Sequence, residues 1–154
     1  MSEFKQSGYK VTELTVAWST NGFDALLDNE WTDASDAIDN SSTLYLMADF
    51  EIVLGSATFV GFDSLIELYI IPSVDGTNYA DWTGGAAVVA DQQENNALRV
   101  GDVTTSGAVG AQRLVLRGVE MPPGKFKVGI RNRGGVTLNA TNTCKWRPWQ
   151  YSSV

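Results

Sequence analysis

Leu65-Ile-Glu-Leu-Tyr-Ile-Ile-Pro-Ser-Val-Asp-Gly-Thr-Asn-Tyr79 decides the reading of this chain. A dense β-forming run ends in a Pro/Asp/Gly/Asn corner, and Asp75-Gly76 with Asn78 supplies the residues that tolerate a chain reversal. Leu44 to Leu54 before it and Lys125 to Asn132 after it are its expected strand neighbours. The second lies far along the chain, so the pairing is long-range and points to a sandwich rather than a meander.

Working outward, Leu44 to Leu54 alternates, with Leu44, Leu46, Ala48, Phe50, Ile52 and Leu54 on one face and Asp49 and Glu51 on the other. Lys125 to Arg131 has period two as well: Phe126, Val128 and Ile130 face in, Lys125, Lys127 and Arg131 face out. Tyr9–Trp18, Ala97–Val103 and Arg113–Val119 read as further strands, and Ala86–Ala90 as a short apolar run. The final run, Cys144 to Tyr151, alternates cation and aromatic, and Pro148 predicts an edge position for it. Residues 1–8 read as a flexible arm and 9–154 as one domain. The acidic stretch Phe23–Asn40 reads as a long crossover with a helical turn near Asp33–Ile38, anchored by Trp31 and Ile38.

About eight short strands with turns between them predict an all-β fold, a single antiparallel β-sandwich. A jelly roll is the first expectation and an immunoglobulin-like arrangement the second. The expected core holds Leu46, Phe50, Ile52, Leu68, Ile70, Leu114, Leu116, Phe126, Val128 and Ile130. A length of 154 residues suits one core that needs no staple.

Composition narrows the chemistry. The chain has no histidine, which excludes Ser-His-Asp and Cys-His nucleophile pairs and histidine-ligated metals. No catalytic residue, metal site or cofactor is expected; a glycosidase built on two carboxylates is the enzyme class left standing. Cys144 is the single cysteine, so no internal disulfide forms, and a reducing cytoplasm is the expected place of maturation. No apolar run reaches the roughly 18 residues of a spanning helix, and no membrane role is expected.

Charge is split along the chain: residues 1–98 carry two basic against sixteen acidic residues, while 99–154 carry nine basic against two acidic. The halves either neutralise each other within the sandwich or present a basic and an acidic face to partners. Arg113, Arg117, Lys125, Lys127, Arg131 and Arg133 fall on the outward sides of their strands. With Lys145, Trp146, Arg147, Trp149 and Tyr151 they form the expected partner-binding set, because Arg, Trp and Tyr dominate interface energetics. Nucleic acid is not an expected partner, since the net charge of −7 repels phosphate. Asp75, Asn78 and Trp82 are the candidates for an alternative, glycan-binding role.

From Leu44 onward the chain resembles head decoration, or cement, proteins of tailed bacteriophages of jelly-roll type. The resemblance rests on the Leu65–Tyr79 stretch, Arg113-Leu-Val-Leu-Arg-Gly118, Met121-Pro-Pro-Gly-Lys-Phe-Lys127 and Lys145-Trp-Arg-Pro-Trp149. It implies a noncatalytic protein on the outer capsid surface, assembled in the host cytoplasm. It further implies binding to the major capsid protein as a homo-oligomer, a trimer for preference. Ser73–Tyr79 also looks like a turn of discoidin-type sugar-binding domains, which implies a carbohydrate-binding module of a tail or virion surface as the alternative.

Overall fold

The computed structural model describes residues 4–7, 13–19, 22–59, 64–85, 96–105, 107 and 109–153; residues 4–7, 56–58, 109 and 150–153 are described by their backbone only. The described residues form nine strands: β1 Phe4–Ser7, β2 Leu14–Val16, β3 Ile38–Asp39, β4 Met47–Thr58, β5 Leu65–Pro72, β6 Leu98–Thr104, β7 Val109–Glu120, β8 Lys125–Arg133 and β9 Thr143–Ser153. They form two antiparallel sheets, one ordered β1-β9-β4-β7 with β2 also on β9, the other β3-β8-β5-β6. The chain is a β-sandwich, as its alternation predicts. The Ala86–Ala90 run lies outside the described residues, as do Tyr9 and Val11 of the expected first strand.

Alternation decides which faces meet. Ala48, Phe50, Ile52 and Leu54 of β4 and Cys144 and Trp146 of β9 pack against Ile66, Leu68 and Ile70 of β5 and Phe126, Val128 and Ile130 of β8. Leu114 and Leu116 of β7 close the margin and are partly buried. Phe126 meets Trp146 edge-on, with ring centroids 5.7 Å apart across the two sheets.

Five expectations are corrected. β4 does not neighbour β5: it pairs with β7 and β9, and faces β5 across the core. Sequence proximity misleads here because the chain changes sheet at nearly every connection. β9 is not an edge either, since β4 lies on one side of it and β1 and β2 on the other. Pro148 is tolerated because it falls between the span paired to β2, Cys144–Trp146, and the span paired to β1, Gln150–Ser153, where no neighbour requires its missing N–H. Part of the expected arm is therefore a strand, Phe4–Ser7.

Leu44 and Leu46 are exposed rather than core. Fully buried Asn40 holds the chain in a turn that delays the strand: its Nδ2 donates to the carbonyls of Tyr45 (2.9 Å) and Pro122 (2.8 Å), and its Oδ1 accepts the Tyr45 N–H (2.9 Å). Residues 33–38 form no helix. From Glu30 to Asp39 the chain lies extended along β8, which it closes with main-chain bonds from Thr32 N to Ile130 O (2.9 Å) and from Ser35 N to Val128 O (2.8 Å). The Thr32 and Ser35 hydroxyls accept the N–H groups of Ile130 (3.0 Å) and Val128 (2.8 Å) in place of carbonyls.

Phe126→Ala should cost about 3–5 kcal/mol, since the ring is fully buried and spans both sheets; urea denaturation measures it. Burial also pushes the Cys144 thiol well above its ordinary range, so alkylation of the native protein should be negligible and should become rapid on unfolding.

Candidate functional site

The outward face of the β3-β8-β5-β6 sheet carries a second buried layer that alternation alone would assign to solvent. Glu67, Tyr69 and Ile71 project from β5 on this face and all three are buried. Glu67, 1 % exposed, lies among three guanidinium groups. Arg99 Nη2 of β6 and Arg133 Nη1 of β8 are each 3.1 Å from Oε1, and Arg131 Nη1 is 3.6 Å from Oε2. Tyr69 donates its hydroxyl to Oε2 at 3.0 Å. Three strands are tied by one buried carboxylate, which Arg131 meets from within the layer and Arg99 and Arg133 from its half-exposed rim.

Aromatic rings roof this cluster. The Arg131 guanidinium lies 4.7 Å from the Trp31 ring centroid, Trp31 packs on Tyr69 (5.0 Å), and Trp82 meets both Trp31 (5.2 Å) and Tyr69 (5.6 Å). Trp82 can lie so low because position 129 is glycine: a Cβ there would come within 2.1 Å of the indole. Its Nε1 donates to the Thr32 carbonyl at 2.9 Å. Trp82, a candidate for glycan binding, is half-buried and held at both ends.

The other glycan-site candidates are likewise engaged. Asp75 Oδ1 accepts the N–H groups of Thr77 (2.8 Å) and Asn78 (2.7 Å), and Oδ2 accepts the Asn78 side-chain amide (2.7 Å). The Asn78 N–H first, then that of Thr77 and the Asn78 amide, hold the Asp75 carboxyl well below the usual carboxylate range. This is turn chemistry, in which the carboxylate serves its own loop.

The expected partner-binding residues divide into three groups. Trp146 belongs to the core, 4 % exposed, and is no interface anchor. Trp149 is also buried and donates Nε1 to Asp49 Oδ1 at 3.2 Å. Most of the cations serve the fold: Arg131 and Arg133 hold Glu67, Arg113 pairs with Glu51 (2.6 Å), Lys145 (3.1 Å) and Arg147 (3.5 Å) pair with Glu13, and Lys127 lies 4.8 Å from the Tyr79 ring centroid. Arg117 is exposed and Lys125 half-exposed at the surface; the side chain of Tyr151 lies outside the described residues. Cross-strand register brings Asp49 opposite Arg147 and Glu51 opposite Lys145, so the acidic first half and the basic second half neutralise each other by interleaving.

Sequence reasoning missed a group of exposed apolar side chains at one pole of the sandwich. Three loops converge there: 40–46 and 121–124 through the Asn40 bonds, and 73–78 through Ser73 N to Lys125 O (2.9 Å). Leu44 (52 %), Leu46 (59 %) and Val74 (104 %) stand exposed on this frame. Leu44 adopts φ +47°, a left-handed conformation unusual for leucine, and is held by its N–H bond to the Asn40 carbonyl at 2.9 Å. The alternation of Leu44 and Leu46 hid them, because it matches that of the strand that follows.

No protein-family model matches the chain, and no curated protein matches it. Among the described residues no cluster of three or more metal-ligating side chains occurs, and no helix is long and apolar enough to cross a membrane.

Removing the central carboxylate strands three cations in or near a dry layer. Glu67→Ala should therefore destabilise the fold by about 3–5 kcal/mol in chemical denaturation, far more than an exposed glutamate change.

Proposed function

We propose that the chain is a noncatalytic head decoration protein of a tailed bacteriophage, binding the outer surface of the major capsid lattice. The observation that carries this reading is the rigid pole: large apolar side chains held out from a framework locked by buried Asn40 and by Pro122-Pro123. Exposed apolar groups on a preorganised frame are contact surface, because burying them on a partner loses little conformational entropy. The strained backbone at Leu44 points the same way, since such conformations persist where the surrounding structure enforces them for a purpose. The strand-and-turn motifs that resemble cement proteins supply the identity of the partner.

The contact is assigned to the pole rather than to the basic strands, whose cations are largely engaged within the chain. Many copies on one lattice would then stabilise the head by repeated modest contacts.

Purified protein should co-sediment with undecorated phage heads, and Leu44→Ser/Leu46→Ser should weaken that association about 30-fold without lowering thermal stability. Absence of co-sedimentation, with glycan binding in its place, would establish the carbohydrate module instead. Retained affinity in the double variant would move the contact off the pole.

A further inference from the structure

We propose that Asp75-Gly76 is a latent isoaspartate site, held closed by the hydrogen bonds of its own turn and opened when those bonds are removed. Whatever the pole binds, this chemistry belongs to the covalent chain alone.

An Asp-Gly step can close on itself. The Gly76 main-chain nitrogen attacks the Asp75 Cγ and loses its proton, a carboxyl oxygen departs as water, and a five-membered succinimide forms. Water then opens the ring at either carbonyl; opening at the former main-chain carbonyl leaves the side-chain methylene in the backbone. The water taken up equals the water lost, so no other reactant is needed. Glycine favours the attack because no side chain screens its nitrogen, and Asp75 is exposed to the water that opens the ring. The turn needs both members of this labile pair. Gly76 has φ +76°, where a side chain is strained, and Asp75 supplies the acceptor on which the turn closes. An extra backbone atom here would displace the adjoining Val74, which stands fully exposed at the pole.

Ring closure makes two demands on the carboxyl: it must swing over the Gly76 nitrogen and, in mild acid, it must be protonated so that water can leave. The turn opposes both. Oδ1 is drawn forward by the N–H groups of Thr77 (2.8 Å) and Asn78 (2.7 Å), and Oδ2 by the Asn78 side-chain amide (2.7 Å). The carboxylate cannot rotate back onto Gly76 without breaking these charge-assisted bonds. Ser73 Oγ, 3.2 Å from Oδ1 and 2.6 Å from the Asn78 carbonyl oxygen, ties the two ends of the turn together. The same donors favour the anion, which depletes the acid form that would cyclise. One set of bonds thus fixes the carboxylate away from the nucleophile and keeps it unreactive.

Peptide mapping of isoaspartate at residue 75, on the full chain aged in warm, mildly acid buffer, tests this. The folded parent should form isoaspartate about a hundredfold more slowly than the same chain unfolded in urea. Asn78→Ala should raise the folded rate about tenfold, the factor that one hydrogen bond to a charged group commands. Asn78 is exposed and lies outside the left-handed region, so alanine fits there. Equal rates for folded and unfolded parent, or a parental rate in Asn78→Ala of native circular dichroism, would overturn the proposal. If Asn78→Ala does not fold, Ser73→Ala decides: a faster rate supports the lock, and the parental rate refutes it.

Discussion

The burial of the Glu67 carboxylate among Arg99, Arg131 and Arg133 is the constraint on which the second sheet and its roof depend. A lone ionised carboxylate would be expelled from such a place at a cost of several kcal/mol. Three guanidinium groups and a tyrosine hydroxyl offset that cost only if β5, β6 and β8 hold their register. One of those guanidinium groups, Arg131, then lies against Trp31, which brings the crossover down onto the sheet, and Trp31 with Tyr69 seats Trp82 over Gly129. Charge, aromatic packing and a missing Cβ are parts of one arrangement.

The acidic half of the chain has a related explanation. Its loop carboxylates accept main-chain N–H groups from other loops: Asp24 from Asn142 (2.7 Å), Asp28 from Gly135 (2.8 Å), Asp33 from Gly84 (2.9 Å). Loops run without ladder partners, so their N–H groups need acceptors, and a carboxylate is the strongest available. The basic residues lie mainly on strands, where long side chains reach across to acidic neighbours. Division of charge along the sequence therefore reflects division of labour between loop and strand. Buried asparagines complete the system: Asn132 donates to the carbonyls of Leu26, Leu27 and Val136 and accepts the Gly134 N–H.

Strands were legible in the sequence because period-two alternation is a local signal, and β5, β7 and β8 fall close to where it puts them. The inward faces of β4, β5 and β8 were legible for the same reason. Which sheet each strand joins was not, since Phe50 and Leu68 are equally apolar whether their strands are neighbours or face each other. Burial of the outward face around Glu67 was invisible too: Glu at the centre of an apolar run reads as a solvent position until partners from β6 and β8 are placed beside it. The pole was missed because Leu44 and Leu46 continue the alternation of β4 past its true start, and only Asn40, a residue that reads as ordinary loop, stops the strand there.

A double-mutant cycle between Glu67 and Arg131 tests the central claim most directly. Urea denaturation of Glu67→Gln, Arg131→Met and the double variant gives their coupling free energy without assigning it to either residue alone. Charges that secure sheet and roof together should couple by more than about 1 kcal/mol, with little loss in added salt because the pair is shielded from solvent. A coupling within about 0.3 kcal/mol of zero would contradict the account, and would make the cluster an ordinary surface ion pair.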